Sequence, residues 1–391
     1  MLRADHIIRD GKQNKWVIII FGLILIFATI IIIIFFRETI FNKPPTAGTV
    51  NGSVSPPAFD GDSRELRATV VVPTLETPIP VGKNAIWCAS YLATWKAMET
   101  DIFKEPISLQ GSPAFALSLN KADDPRPWIP ESSLYVAAGW CRDGIIDKIG
   151  KDLAEKFPAK SRPNFPKLSP EAIVSYAYLD AEVKFSFPYL QNKKPLIFTD
   201  LGGTKTELKS FGQFSKNHSQ QSPLPKILHI ARDNKMRLTE CIIDLDGESQ
   251  PNQIILAYME SKANLTEMIR SLNSQLSNRA HDYGYGEADP LDMLIVPDIV
   301  WNITHRFEEI EGRPLNNSGF EMLQLMVAQQ DIQFRLDRNG AAITSEARTN
   351  LELSPPVHAI FDRPFFLCIM KRGEEMPFFV MWVANAELLC K

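Results

Sequence analysis

The stretch from Phe361 to Asn385 constrains this chain most. It reads FDRPFFLCIMKRGEEMPFFVMWVAN. Two apolar runs, Phe365–Met370 and Pro377–Ala384, flank a charged turn, Lys371–Glu375. A strand that is apolar at almost every position has both faces covered, so this pair reads as a hairpin inside a core. Gly373 sits among Lys371, Arg372, Glu374 and Glu375, which suits a solvent-facing loop between the strands. The C-terminus is therefore expected within the core.

The rest of the chain is bounded by simple quantities. Its 391 residues are 45% hydrophobic and 23% charged, which is ordinary globular usage and fits one large domain or two average ones. A formal net charge of −4 argues against a nucleic-acid partner.

At the other end, Trp16–Phe36 carries no charge and is rich in Ile, Phe and Leu. As a helix rising ~1.5 Å per residue it would cross a hydrocarbon layer of roughly 30 Å. Arg3, Arg9, Lys12 and Lys15 precede it, which places residues 1–15 in the cytoplasm and the bulk of the chain outside. The competing reading is a cleaved signal sequence, against which stand the length of the run and the lack of a small-residue cleavage site. Residues 37–80 read as a flexible linker, broken by Pro44-Pro45, Pro56-Pro57, Gly52 and Gly61. Within it Leu66–Val72 could pair as a strand. The folded domain is expected over 81–391.

Periodicity along that domain predicts mixed elements. Ile86–Met98 reads as a buried helix and Asp143–Phe157 as an amphipathic one, with Ile145, Ile146, Ile149, Leu153 and Phe157 on one face. Strands are predicted at Leu134–Gly139, Ala172–Phe187, Pro195–Phe198, Lys205–Phe211, Arg237–Asp246, Gln253–Met259, Met293–Val300 and Asp331–Asp337. In the last, Ile332, Phe334 and Leu336 alternate with Gln333, Arg335 and Asp337, so one face is expected to be wet. Asn264 with Glu267 forms a capping box ahead of a helix, Leu265–Leu276. Helices first and a strand-rich second half argue for the α+β class.

The F-x-R-P-F motif at Phe361–Phe365, the hairpin behind it and the final strand ending at Asn385 resemble the closing hairpin of the serpins, the serine-protease-inhibitor family. Met381 stands where that family usually has glycine, and Ala386 where it usually has proline. Gln253–Leu276 and Ile332–Ala347 are also similar to serpin segments; likeness over the rest of 81–391 is weak. The resemblance implies a serpin-like fold: N-terminal helices with large mixed and antiparallel sheets, preceded here by one transmembrane helix. It also implies a reactive loop that, once cut by a protease, enters the main sheet as a new strand. The hinge of that loop would be Gly340, Ala341, Ala342, Ile343, Thr344, Ser345, Glu346 and Ala347. Strand alternation puts Ala341, Ile343, Ser345 and Ala347 inward and Ala342, Thr344, Glu346 and Arg348 outward. Counting from Gly340 places the scissile bond at Ser354-Pro355; aligning on Pro355-Pro356 places it at Glu352-Leu353. Proline after a scissile residue makes poor bait.

Departures from the family pattern accompany these matches. Arg338 replaces an acid, and Ile343 is bulkier than the usual alanine. The polar cluster that governs sheet opening in serpins is represented by Cys88, Tyr91, Ser175 and Gln330, and the tryptophan beneath the insertion point by Val183. Between Phe157 and Ile173 too few residues remain for the helix that normally lies across the main sheet.

Other chemistry is thin. G-x-S-x-G, H-E-x-x-H, P-loop and G-x-G-x-x-G motifs are absent, so an enzyme is not expected. The six histidines show no ligand spacing, and neither a metal nor another cofactor is implied. Gly284-Tyr285-Gly286 with His281, Asp282 and Glu287 reads as a loop. The five cysteines include no C-x-x-C pair, and an odd count leaves at least one unpaired; Cys88 and Cys368 read as buried thiols. The functional expectation is a membrane-anchored extracytoplasmic serpin-like inhibitor. Its partners would be a protease and, through residues 16–36, the lipid bilayer. The alternative is a non-inhibitory serpin-fold module that binds or scaffolds.

Overall fold

In the computed structural model the closing hairpin lies at the centre of the largest sheet. The structure describes residues 56–391 apart from 159–162, 166, 181–184, 186, 215–224, 234–237, 248–250, 278–290 and 340–356. The candidate membrane span at 16–36, the reactive-loop hinge Gly340–Ala347, the scissile candidates Glu352–Pro355, the Gly284-Tyr285-Gly286 loop and Val183 all lie outside the described residues. Among the described residues no helix is long and apolar enough to cross a membrane.

The strands in chain order are β1 (Phe59–Asp62), β2 (Thr69–Val71), β3 (Asn84–Cys88), β4 (Leu134–Trp140), β5 (Ile173–Leu179), β6 (Leu190–Gln191), β7 (Leu196–Thr199), β8 (Lys205–Leu208), β9 (Ser210–Phe214) and β10 (Lys226–Arg232). They continue with β11 (Leu238–Asp244), β12 (Asn252–Tyr258), β13 (Leu291–Pro297), β14 (Ile299–Arg306), β15 (Arg313–Pro314), β16 (Gln324–Leu325), β17 (Gln329–Leu336), β18 (Val357–Ile360), β19 (Phe365–Lys371) and β20 (Pro377–Val383). The helices are α1 (Ala89–Ala97), α2 (Ala114–Lys121), α3 (Ile145–Lys156) and α4 (Leu265–Ser277).

A seven-stranded sheet runs β10-β11-β12-β19-β20-β3-β2, a four-stranded sheet β18-β13-β9-β6, and a three-stranded sheet β1-β14-β17. β4–β5, β7–β8 and β15–β16 form two-stranded ribbons. β19 and β20 are buried along nearly their whole length: β12 and β3 pair with their edges, and core side chains from other elements, such as Trp301 and Phe334 against Phe379, cover their faces. That is why both strands could be apolar on both faces. Gly212 lets β9 approach β13 closely: a Cβ there would sit 1.8 Å from the Leu294 carbonyl oxygen.

Several sequence expectations need correction. Residues 56–80 are not a linker. β1 pairs in parallel with β14, β2 pairs in parallel with β3, and Val71, Val72 and Leu75 are buried in the main core. Prolines and glycines there interrupt long elements, but strands of three or four residues need no long pattern. The folded unit therefore starts well before residue 81, within the compact body that runs to Lys391.

Ile86–Met98 is not a single helix. Asn84–Cys88 is a fully buried strand between β20 and β2, and the helix begins only at Ala89. A short apolar run fits a buried strand and a buried helix equally well, so tertiary pairing decided between them. The predicted strand over Lys205–Phe211 divides into β8 and β9, and Met293–Val300 divides at Asp298 into β13 and β14. The long strand over Ala172–Phe187 is described only as β5, which ends at Leu179. β17 alternates as expected, but Asp337 just beyond it is buried, held by Arg335 Nε at 2.6 Å and by the Asn339 N–H at 2.8 Å.

The α3 stripe is as predicted and covers a second, separate core. Ile145, Ile149 and Leu153 pack on Tyr135, Ala137 and Val174 of β4 and β5. No helix is described between Phe157 and Ile173, yet the face of β4–β5 turned away from α1 is covered by α3. Gly139 permits this, since a Cβ would meet Ile145 at 3.1 Å. At α4, Asn264 Oδ1 accepts the Glu267 N–H at 2.9 Å, while Glu267 Oε2 accepts the N–H of Ala263 rather than of Asn264.

Candidate functional site

β5 and β17 are both edge strands. Among the described residues β5 pairs only with β4, and β17 only with β14. An unpaired edge presents a row of backbone N–H and C=O groups ready to accept another strand. Beyond the two strands the chain is stitched together: the Tyr189 N–H donates to the Arg338 carbonyl at 2.9 Å, and Arg338 Nε donates to the Tyr189 carbonyl at 3.1 Å. Each strand runs from α1 toward that stitch, so the two run in the same direction.

Helix α1 lies beneath both. Ser175 Oγ on β5 donates to the Thr94 carbonyl at 3.0 Å. Gln330 Nε2 on β17 donates to the Cys88 carbonyl at 3.0 Å and to Ser90 Oγ at 2.8 Å. The phase of β17 explains Gln330. It shares the inward face with Ile332, Phe334 and Leu336, so its amide is buried and must find partners. Cys88 Sγ is 3.5 Å from Ser90 Oγ, and burial pushes the Cys88 thiol pKa up. Across the seam, burial and then the charge of Asp331 on β17 push Tyr176 of β5 up to about 12. His305 on β14 is the register partner of Gln330. Its Nδ1 is 2.7 Å from Ser63 Oγ, and burial lowers its pKa.

Of the positions that represent the serpin polar cluster, Cys88, Ser175 and Gln330 do converge on α1. Tyr91 does not join them. It is buried against Phe307 with ring centroids 4.2 Å apart. Sequence reading missed Ser90, Thr94 and His305. A polar Gln330 in the buried phase of an alternating strand was the available signal that partners lay beneath it.

Chain direction gives the seam its chemistry. The described chain leaves β17 through a turn at Arg338 and Asn339 and resumes at β18, which pairs in parallel with β13. A segment that turned back after Asn339 would run antiparallel to both β5 and β17 and could pair with both edges. Arg338, where serpins favour an acid, lies at the mouth of the seam bonded to Tyr189. All five cysteines are free, and four are buried: burial raises Cys241 to about 12 and Cys390 to about 11. Cys141 is half-exposed. Among the described residues no group of three or more His, Cys, Asp or Glu could hold a metal ion.

No family model matches the sequence, and no curated protein matches it. Solved structures similar to the chain include a thyroxine-binding globulin complex with thyroxine, at 13% identity and TM-score 0.44, covering 78% of this chain and 93% of that one. Human glycosylated kallistatin is similar at 14% identity and TM-score 0.43, with 78% and 92% covered. A thermophilic serpin, tengpin, in the native state is similar at 14% identity and TM-score 0.42, with 78% and 90% covered. These structures are serpins, the family that the sequence resembles. None of these similarities bears on what the chain binds or acts on.

Proposed function

We propose that this chain is a serpin-like protease inhibitor, anchored at a membrane through residues 16–36 with its folded part outside the cell's cytoplasm. It acts by inserting residues 340–356 between β5 and β17. One observation carries the reading: two strand edges, unpaired among the described residues, run in the same direction above one helix, and residues 340–356 follow β17 in the sequence. Insertion would gain a ladder of backbone hydrogen bonds on both sides, each worth about 0.5–1.5 kcal/mol net. The polar contacts of Gln330 and Ser175 with α1 would hold the edges in place until then.

Cleavage of the loop by a nonspecific protease tests insertion. The melting temperature of the cut protein should rise markedly above that of the intact one. Inhibition is tested by an SDS-stable complex with a serine protease. Wild type and Glu346→Arg should form it. Ser345→Arg should not, because its charge would have to enter the sheet interior at a cost of several kcal/mol. No such complex across a broad panel of proteases, with the loop only cut, removes the inhibitory reading. A non-inhibitory binding module is then the better account. One observation favours that second reading: Arg338 is already fastened to Tyr189 at the seam mouth, where an inserting strand would have to begin.

A further inference from the structure

We infer that the β7–β8 hairpin is a docking surface for an anionic lipid bilayer, an inference that rests on the membrane-anchor reading above. The register pairs Leu196 with Leu208, Ile197 with Glu207, Phe198 with Thr206 and Thr199 with Lys205. Leu196, Phe198 and Leu208 point into the core, so Ile197, Thr199, Lys205 and Glu207 share the opposite face. On that outer side Ile197 is 43% exposed, and Leu201 at the hairpin tip is 54% exposed. Lys193, Lys194, Lys205 and Lys209 flank them, all exposed. Asp200 at the tip accepts the Thr204 N–H at 2.8 Å, and Glu207 lies on the outer face opposite Ile197, so the four lysines outnumber the two carboxylates. Exposed aliphatic side chains ringed by lysine match an interface of acyl chain and acidic headgroup.

The path of the chain decides the occupant. Pro56 is the first described residue, and its carbonyl oxygen is 3.8 Å from Cys390 Sγ. The Cys390 carbonyl accepts the Lys209 N–H at 2.9 Å, at the root of the hairpin. The described chain thus begins beside the root of this hairpin. Even fully extended, residues 37–55 carry Pro56 no further than about 65 Å from the end of the uncharged run of residues 16–36. The more exposed apolar group, Met322 at 96% with Met326 at 64%, lies where β14 ends and β17 begins, away from Pro56. It is the internal control.

The test uses the full chain incorporated in phosphatidylcholine vesicles with and without phosphatidylserine. An environment-sensitive fluorophore is placed at Leu201→Cys or Met322→Cys in a Cys141→Ser background. Flotation with vesicles reports the anchor, and the emission maximum reports docking. The expected result is flotation of both, with a blue shift and quenching by lipid-borne quencher at 201 only, on phosphatidylserine vesicles. Replacing Lys193, Lys194 and Lys205 together by Gln should reduce that shift at least several-fold. A chain that floats while the probe at 201 stays water-like overturns docking and leaves the anchor standing. A chain that does not float overturns both. Equal shifts on neutral vesicles overturn recognition through the lysines. A shift produced by an added soluble protease instead of by lipid assigns the surface to a protein partner and also overturns the proposal.

Discussion

Asn84 ties three distant parts of the chain together, and Asn84→Ala should be among the most damaging polar substitutions in the protein. Its side chain is fully buried. Nδ2 donates to Thr69 Oγ1 at 3.1 Å and to Asn385 Oδ1 at 3.0 Å. Oδ1 accepts the N–H groups of Ala384 at 2.8 Å and Asn385 at 3.0 Å. Asn385 in turn donates to the carbonyls of Ala68 and Gly82, and Glu387 accepts from the N–H groups of Arg67 and Ala68 and from Thr69 Oγ1. Truncation to alanine strands two backbone donors, of which that of Ala384 lies in the interior. At about 1–3 kcal/mol for each buried group left without a partner, the two together cost about 2–6 kcal/mol. Asn385 is only part-buried and can recruit water, so the expected loss is about 3–4 kcal/mol. Asn84→Asp keeps both acceptor bonds but cannot donate and buries a charge, so it should do no better. Urea unfolding followed by tryptophan fluorescence measures the change, with the slope checked for two-state behaviour. A loss under about 1 kcal/mol for the alanine variant would mean that Asn84 does not hold the Ala384 and Asn385 N–H groups in a dry interior.

Three further outcomes are expected. Phe365→Ala in β19, whose ring is fully buried and edge-on to Phe361 at 5.3 Å, should cost about 3–5 kcal/mol in the same assay; under about 1 kcal/mol would place the hairpin at the surface. Gly212→Ala should separate β9 from β13 and lower the melting temperature far more than Gly150→Ala on α3, where a Cβ meets nothing within 4 Å; equal effects would contradict the close approach. His305 should make stability pH-dependent. Burial lowers its folded pKa despite the opposing charges of Glu309, Asp62 and Glu308, so the unfolded chain binds the proton first. Its contribution is therefore complete above about pH 6.5 and is lost as pH falls from there toward the depressed folded value. His305→Gln should flatten that part of the stability–pH curve, and an unchanged slope would show that another group titrates.

The sequence by itself determined what depends on local pattern. Uninterrupted apolar runs marked β19 and β20 as strands covered on both faces. Period-two alternation marked β17, and a stripe of isoleucine and leucine marked α3. The capping pair at Asn264 and Glu267 fixed the start of α4. Each signal lies within a few residues of chain, where backbone geometry alone dictates which side chains share a face.

Only the tertiary structure decided the rest. Ala85–Cys88 is a strand and not the start of a helix because β20 and β2 flank it. Phe59–Asp62 belongs to a sheet because β14 offers an edge from far along the chain, whereas Thr69–Val71 lies within the Leu66–Val72 run already legible as a possible strand and needed only β3 beside it. Asp337 is buried because Arg335 and the Asn339 N–H meet it. The seam was legible at Gln330, a polar residue in a buried phase, and, through the family resemblance, at Cys88 and Ser175. Ser90 and Thr94 had no signal, because a hydroxyl or a helical carbonyl acquires a role only when a partner from another strand is brought to it. Such pairings are set by the burial of many side chains at once, and no window of neighbouring residues contains them.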